Sequence, residues 1–123
     1  MQSAMPVRSL NSSVLRWPDA ATVHEAVCRW AEKVAREHPD VLCIGYFGSY
    51  ARGSWGVGSD VDLIIVVTAS SEPFERRGAR WELTQLPVPA DAFTYTKEEW
   101  ESLLRQEGGN RRALQETVWV YQH

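Results

Sequence analysis

Two apolar runs joined by a turn rich in glycine and serine constrain the fold of this chain more than any other feature. The first run is Val41–Phe47, and the second begins after Asp60-Val61-Asp62. Apolar runs of this length, bounded by turn residues, are typical of buried strands. Because successive side chains of a strand point to opposite faces, Asp60 and Asp62 are predicted to share one face of the second strand.

This aspartate pair requires a positive partner. Two like charges about 4 Å apart repel each other by about 4 kcal/mol at an effective dielectric constant near 20. Mg²⁺ or Mn²⁺, which prefer oxygen ligands, would relieve that repulsion. The turn at Gly48-Ser49 supplies the complementary half, because glycine allows close backbone approach and the amides of a helix start face anions. The two halves together predict a site for nucleotide chemistry.

Gly48-Ser49, ten further residues and then Asp60-Val61-Asp62 resemble the G-S-x10-D-x-D signature of the polymerase-β-type nucleotidyltransferase superfamily. The fuller string GSYARG…SDVDL is similar to the minimal nucleotidyltransferases, small catalytic domains often encoded beside a HEPN-domain protein. The sharp part of the resemblance covers residues 41–68. It implies that a nucleoside triphosphate, in the first place ATP, binds with Mg²⁺ or Mn²⁺ and that its nucleoside monophosphate is transferred to a hydroxyl.

The resemblance also implies residue roles. Gly48 and Ser49 would bind the β- and γ-phosphates, and Asp60 and Asp62 would bind the metals. Two further residues are left with two interpretations each. Arg52, one helical turn after the glycine, is either a phosphate contact or an exposed helix residue. Ser59 either bonds to the nucleotide or only shapes the turn.

A third carboxylate is expected on the acceptor side of such a site. The chain has five aspartates. Asp19 precedes a predicted helix and Asp40 lies in a predicted turn, so both have structural explanations. Asp91 remains, within a strand among small and aromatic residues, and it matches the later acidic position of the resembled family. Asp91 is therefore the predicted third catalytic and metal-binding residue, and the alternative is a solvent-facing aspartate on an edge strand.

The fold predicted for the whole chain is α/β (α+β), of the polymerase-β-type nucleotidyltransferase class, with a mixed four-stranded sheet and helices mainly on one face. Apolar spacing from Val23 to Val34 predicts the longest helix, capped by Asp19 or by Thr22. Thr96 opens a second helix with a capping box. Residues 1–16 have no clear period and are predicted to form a loosely attached arm, with Met5 as an alternative start. Residues 17–123 form the single domain.

Composition and charge limit the expected partners and the cellular compartment. The formal charge of −3 argues against nucleic acid as an obligatory partner. No run has the apolar length of a membrane span, and the N-terminus does not read as a signal peptide, so a cytoplasmic protein is expected. Cys28 and Cys43 lack metal-ligand spacing and are predicted to be free, buried thiols. Trp55, in the polar loop, is expected to stack on a base or to face a partner.

The function predicted from the resemblance is AMP transfer to a partner HEPN toxin, so that the chain acts as an antitoxin. Six tryptophans suggest an exposed apolar patch for that partner. Two alternatives stay open at this point: an antitoxin that inhibits a HEPN ribonuclease by contact alone, and a nucleotidyltransferase for a small molecule such as an aminoglycoside. Homo-oligomerisation is also left open.

Overall fold

The computed structural model describes residues 17–106 and 114–123. The predicted arm and most of a short helix predicted around Ala113-Leu114 lie outside these residues. In chain order, the elements are α1 (Ala20–Glu37), β1 (Val41–Phe47), α2 (Ser49–Arg52), β2 (Val61–Val67), a 3-10 helix (Phe74–Arg80), β3 (Ala90–Thr96), α3 (Lys97–Arg105) and β4 (Val118–Gln122).

Helix α1 begins at the first of its two predicted caps. The carboxylate of Asp19 accepts a hydrogen bond from the Thr22 amide at 2.8 Å, so Asp19 rather than Thr22 is the N-cap. The helix ends at His38, where the following proline disfavours helical backbone. Its apolar stripe faces the sheet as the spacing predicts. The fully buried residues of this stripe are Val23, Val27, Trp30, Ala31 and Val34.

The four strands form one mixed sheet in the order β3-β2-β1-β4. Strand β1 is antiparallel to β2 and to β4, and β2 is parallel to β3. Parallel neighbours need a long crossover, and residues 68–89, with the 3-10 helix, provide it. Strand β1 lies in the centre of the sheet beside β2, and β3 is an edge strand.

Alternate side chains of β2 enter two separate apolar clusters. Leu63, Ile65 and Val67 join the first cluster, which also contains the buried stripe of α1 and Tyr50 of α2. Ile64 packs in the second cluster, against Trp100 of α3 on the opposite face. The predicted α/β class is therefore confirmed, with α1 and α2 on one face and the shorter α3 covering part of the other.

Among the described residues, tryptophans do not form the exposed apolar patch that is predicted for a partner. All six tryptophans are buried or half-buried. The large apolar side chains that are exposed in residues 17–106 and 114–123 are Val57 and Phe74. The indole nitrogens explain part of this burial, because Trp30 donates to the Glu82 carbonyl and Trp81 to the Thr94 hydroxyl.

Cys28 and Cys43 are free, as predicted, although both are half-buried rather than buried. In the described part of the chain, no helix combines the length and the apolar character that crossing a bilayer requires.

Candidate active site

The turn after β1 allows no residue but glycine at position 48. Gly48 has φ +80° and ψ −150°, a conformation that side chains with a Cβ rarely adopt. A Cβ at this position would also lie 2.5 Å from Oδ2 of Asp62. The backbone of the turn therefore lies close to the Asp62 carboxylate. Ser49, the next residue, starts α2. Helix α2 ends after one turn at Gly53, which is left-handed.

Asp62 and Asp91 face each other across the only parallel strand pair of the described sheet. They are register partners at the start of β2 and β3. Since side chains at register partners point to the same face, both carboxylates project on the side of Ile64 and Phe93, away from α1. Asp60 lies one residue before β2, with the same parity as Asp62. The three predicted aspartates are thus brought to one corner of the sheet.

These carboxylates repel one another. Burial raises the pKa of Asp62 above its ordinary value, and the charges of Asp91 and Asp60 raise it further. The positive charge of Arg52 opposes this effect and lowers the pKa of Asp62. Asp62 is half-buried, whereas Asp60 and Asp91 are exposed. Within residues 17–106 and 114–123, no hydrogen bond or ion pair between side chains neutralises any of the three.

The donor chemistry of this corner suits a hard divalent cation. Carboxylate oxygens are the ligands that Mg²⁺ and Mn²⁺ prefer, and the raised pKa of Asp62 marks an uncompensated charge. As the side chains stand, the described residues include no group of three or more His, Cys, Asp or Glu side chains arranged to hold a metal ion. Asp60 and Asp91 are exposed, so both carboxylates are open to solution.

Arg52 and Ser59, for each of which the sequence allows two roles, both contact other residues of the chain. The Arg52 side chain is half exposed and lies 3.8 Å from Glu116, an ion pair of little energetic value. The Ser59 hydroxyl accepts a hydrogen bond from the Gly56 amide at 2.8 Å. The turn-shaping role of Ser59 is therefore observed, while its contact with a nucleotide stays a prediction.

Two aromatic residues outside the predicted set contact the motif. Trp17 donates from its indole nitrogen to the Ser59 carbonyl, and Tyr50 donates from its hydroxyl to the Pro18 carbonyl. Trp55 stacks on Tyr50 with the ring planes 6° apart and the centroids 5.7 Å apart. Packing thus explains Trp55, for which the sequence suggested a base or a partner. No local pattern identifies Trp17 or Tyr50, because their partners are distant in sequence.

Comparison with known proteins agrees with this geometry. The profile of the nucleotidyltransferase domain family matches residues 27–120. A crystal structure of a Sulfolobus solfataricus protein, provisionally assigned as a nucleotidyltransferase, aligns with a TM-score of 0.62 and 18% sequence identity, covering 84% of this chain and 83% of that one. At this identity the likeness shows a shared fold. No curated protein sequence matches the chain. Since the profile spans most of the chain and includes the turn and all three aspartates, the chain belongs to the nucleotidyltransferase domain family and is a transferase.

Proposed function

We propose that the chain transfers AMP from ATP, with Mg²⁺, to a hydroxyl group. The observation that carries this proposal is the register of Asp62 with Asp91 beside the Gly48 turn. It joins uncompensated carboxylates to a backbone turn that opens a helix. A neutral or cationic ligand would not need the turn, and an anion alone would be repelled by the carboxylates. A metal-loaded triphosphate satisfies both halves.

The residue roles follow from charge. Gly48 and Ser49 bind the β- and γ-phosphates, and Arg52, whose charge acts on Asp62, adds a cation beside them. Asp60 and Asp62 hold the metal, and Asp91 joins them on the acceptor side. A bound divalent cation would neutralise the phosphate charge that develops during transfer. Ser59 bonds to the nucleotide in addition to shaping its turn.

The reaction balances with these parts. The acceptor oxygen forms a bond to the α-phosphorus, and the bond from that phosphorus to the β-bridging oxygen breaks. Pyrophosphate leaves from the Gly48-Ser49 side, and the acceptor proton moves to Asp91 or to water. Charge neutralisation and positioning supply most of the acceleration in this type of chemistry.

We infer that the acceptor is a hydroxyl side chain of a HEPN-domain toxin, in the cytoplasm. The support is the string GSYARG…SDVDL and its likeness to minimal nucleotidyltransferases. In addition, Val57 exposes 70% of its surface in the loop that leads into Asp60, where an incoming protein would contact it. AMP added near the toxin's catalytic site would oppose RNA binding by bulk and negative charge.

The test is co-expression of the chain with a HEPN protein encoded beside it, with and without Asp60→Asn, followed by intact mass of the partner. The expected result is a gain of one AMP mass, or a multiple of it, that only the unaltered chain produces. Neutralisation of the toxin by the Asp60→Asn chain, without a mass change, would instead support a contact-only antitoxin. AMP transfer to an aminoglycoside, with no change in the partner, would indicate a small-molecule acceptor.

A further inference from the structure

The loop that carries Asp60 is weakly fixed by its own bonds. Residues 53–60 contain no helix or strand, and Gly53 and Gly58 have positive φ angles. The Ser59 amide donates to the Gly56 carbonyl, and the Gly56 amide donates to the Ser59 hydroxyl. These two bonds close the loop on itself without attaching it to the sheet. The Trp55 ring stacks on Tyr50, and the Val61 amide donates to the Pro89 carbonyl, so the loop is anchored at Trp55 and just after Asp60. Between these anchors, contacts from outside the loop add to the restraint on Asp60.

The dipeptide Trp17-Pro18 makes such contacts to both ends of the motif. The Trp17 indole nitrogen donates to the Ser59 carbonyl at 3.2 Å, one residue before Asp60. The Pro18 carbonyl accepts from the hydroxyl of Tyr50, in α2, at 2.9 Å. Tyr50 is only 3% exposed, so its hydroxyl bond is held in place by packing. The dipeptide thus connects the phosphate turn to the loop that carries Asp60.

This dipeptide is anchored to α1. Asp19 follows it directly and caps the helix, accepting from the Thr22 amide with its side chain and from the Val23 amide with its carbonyl. The Trp17 ring also packs against the first core cluster. A segment fixed at a helix start has little freedom to drift. Through Trp17, the start of this 18-residue helix restrains the irregular loop.

We propose that Trp17 is a positioning residue, whose indole N–H holds the loop so that the Asp60 carboxylate stays next to Asp62. Trp17 touches neither phosphate nor metal; it acts through the Ser59 carbonyl. The consequence for nucleotide binding rests on the proposed function, whereas the restraint on the loop does not. Loss of the N–H should therefore loosen the loop first and weaken binding of the metal-loaded nucleotide second.

Trp17→Phe is the informative variant, because it keeps an aromatic ring and removes the donor. Trp30→Phe is its matched control. Trp30 also donates from its indole nitrogen to a backbone carbonyl, that of Glu82, at 2.7 Å. It lies within α1, about 15 Å from the first residue of that helix at 1.5 Å per residue. Both variants lose one indole donor to a backbone carbonyl. Because Trp30 is buried and Trp17 is half-buried, Trp30→Phe should lose at least as much stability, so a change in the loop seen only in Trp17→Phe is not an effect of global destabilisation.

Hydrogen exchange of the unliganded protein is the first readout. The amides of the loop, followed by mass spectrometry on peptides that contain Gly56 and Ser59, should exchange about fivefold faster in Trp17→Phe, the factor expected for one neutral hydrogen bond. Trp30→Phe should leave these peptides unchanged. Tyr50→Phe, which removes the bond to the Pro18 carbonyl, should change exchange in the same direction as Trp17→Phe and provides a second test if that variant folds poorly.

Nucleotide affinity is the second readout. By calorimetry, Trp17→Phe should bind ATP with Mg²⁺ about fivefold more weakly, while ATP in EDTA binds as it does to the unaltered chain, because Asp60 acts through the metal. Unchanged loop exchange in both Trp17→Phe and Tyr50→Phe would overturn the inference. If the unaltered chain fails to bind ATP with Mg²⁺, the proposed function fails, and the exchange data still decide the role of Trp17.

Discussion

Charged residues lie near both ends of the parallel strands β2 and β3, and the two ends differ in whether those charges are paired. At the end where the strands begin, Asp62 and Asp91 are register partners with no cation bonded to them among the described residues. At the other end, Arg77 is 9% exposed and donates to both carboxylate oxygens of Glu99, at 2.6 and 3.2 Å. Arg77 also donates to the carbonyls of Glu72 and Thr94.

The pKa shifts at the two ends have opposite signs. The hydrogen bond from Arg77 is the first cause that lowers the pKa of Glu99 to about 2. Asp40, bonded to both terminal nitrogens of Arg80, also has a lowered pKa, with the hydrogen bond from Arg80 as its first cause. The pKa of Asp62 is raised, first by burial. Charges that build the fold are thus neutralised within the chain, whereas those of the site require a partner from solution.

The largest expected effect is on chemistry at the site end. Asp62→Asn should lower nucleotide transfer about a thousandfold, because it removes a carboxylate that the divalent metal needs. Asp91→Asn should lower transfer similarly but retain more nucleotide binding, since Asp91 acts on the acceptor side. Pyrophosphate release with the partner present measures transfer. Asp40→Asn, at the paired end, is the control and should transfer normally. Undiminished transfer by Asp91→Asn would move the third carboxylate elsewhere.

The next effect is on stability at the paired end. Arg77→Met should lower the free energy of unfolding by about 3 kcal/mol, because it removes the cation bonded to Glu99 and the Arg77 donors of two carbonyls. Arg76→Met, at the exposed neighbouring position, should change it by less than about 0.5 kcal/mol. Urea denaturation of both variants measures the difference. Equal stability of the two variants would show that the hydrogen bonds of Arg77 contribute nothing to the free energy of unfolding.

Ligand binding should separate the ends once more. ATP with Mg²⁺ at a hundred times its dissociation constant should raise the free energy of unfolding by about 2.7 kcal/mol. Asp62→Asn should lose most of that gain, while Arg77→Met keeps it on a lower baseline. Thermal unfolding with and without ligand provides the measurement. A folded, unaltered chain whose melting temperature ignores ATP with Mg²⁺ would contradict the assignment of the site.

The smallest expected effect is the response to acid. The folded pKa of Glu99, about 2, lies below its ordinary 4.5, so its stabilisation is present above pH 4.5 and is lost as the pH falls toward 2. The folded pKa of Asp62 is raised, so its destabilisation exists at neutral pH and is relieved by acid. Glu99 is 44% exposed, which limits its contribution to about 1 kcal/mol.

Two variants separate these responses. Glu99→Gln should be about 1 kcal/mol less stable at pH 7 and should show a flatter loss of stability between pH 4.5 and about 2. Asp62→Asn should be more stable than the unaltered chain at pH 7 and should lose stability more steeply in acid, because the relief at Asp62 is gone. Urea unfolding across this pH range is the measurement. Parallel pH curves for the three chains would remove the electrostatic contrast.

The local elements could be predicted from the sequence because short-range physics determines them. The apolar stripe of α1 follows from helical spacing, and the capping box at Thr96 is present, with Glu99 as its reciprocal partner. The sequence predicts structural rather than catalytic roles for Asp19 and Asp40. In the structure, Asp19 caps α1 and Asp40 pairs with Arg80. The shared face of Asp60 and Asp62 follows from the alternation of a strand.

Tertiary structure decided which distant residues meet. The register that sets Asp62 opposite Asp91 depends on a crossover of residues 68–89, and no local preference specifies such a pairing. The bonds of Arg77 to Glu99 and of Trp17 to Ser59 likewise span 22 and 42 residues. Short-range periodicity and capping act within a few residues of the chain. Contacts across tens of residues form only when the packed core brings their elements together, so the sequence determined the parts of this site and the fold determined their arrangement.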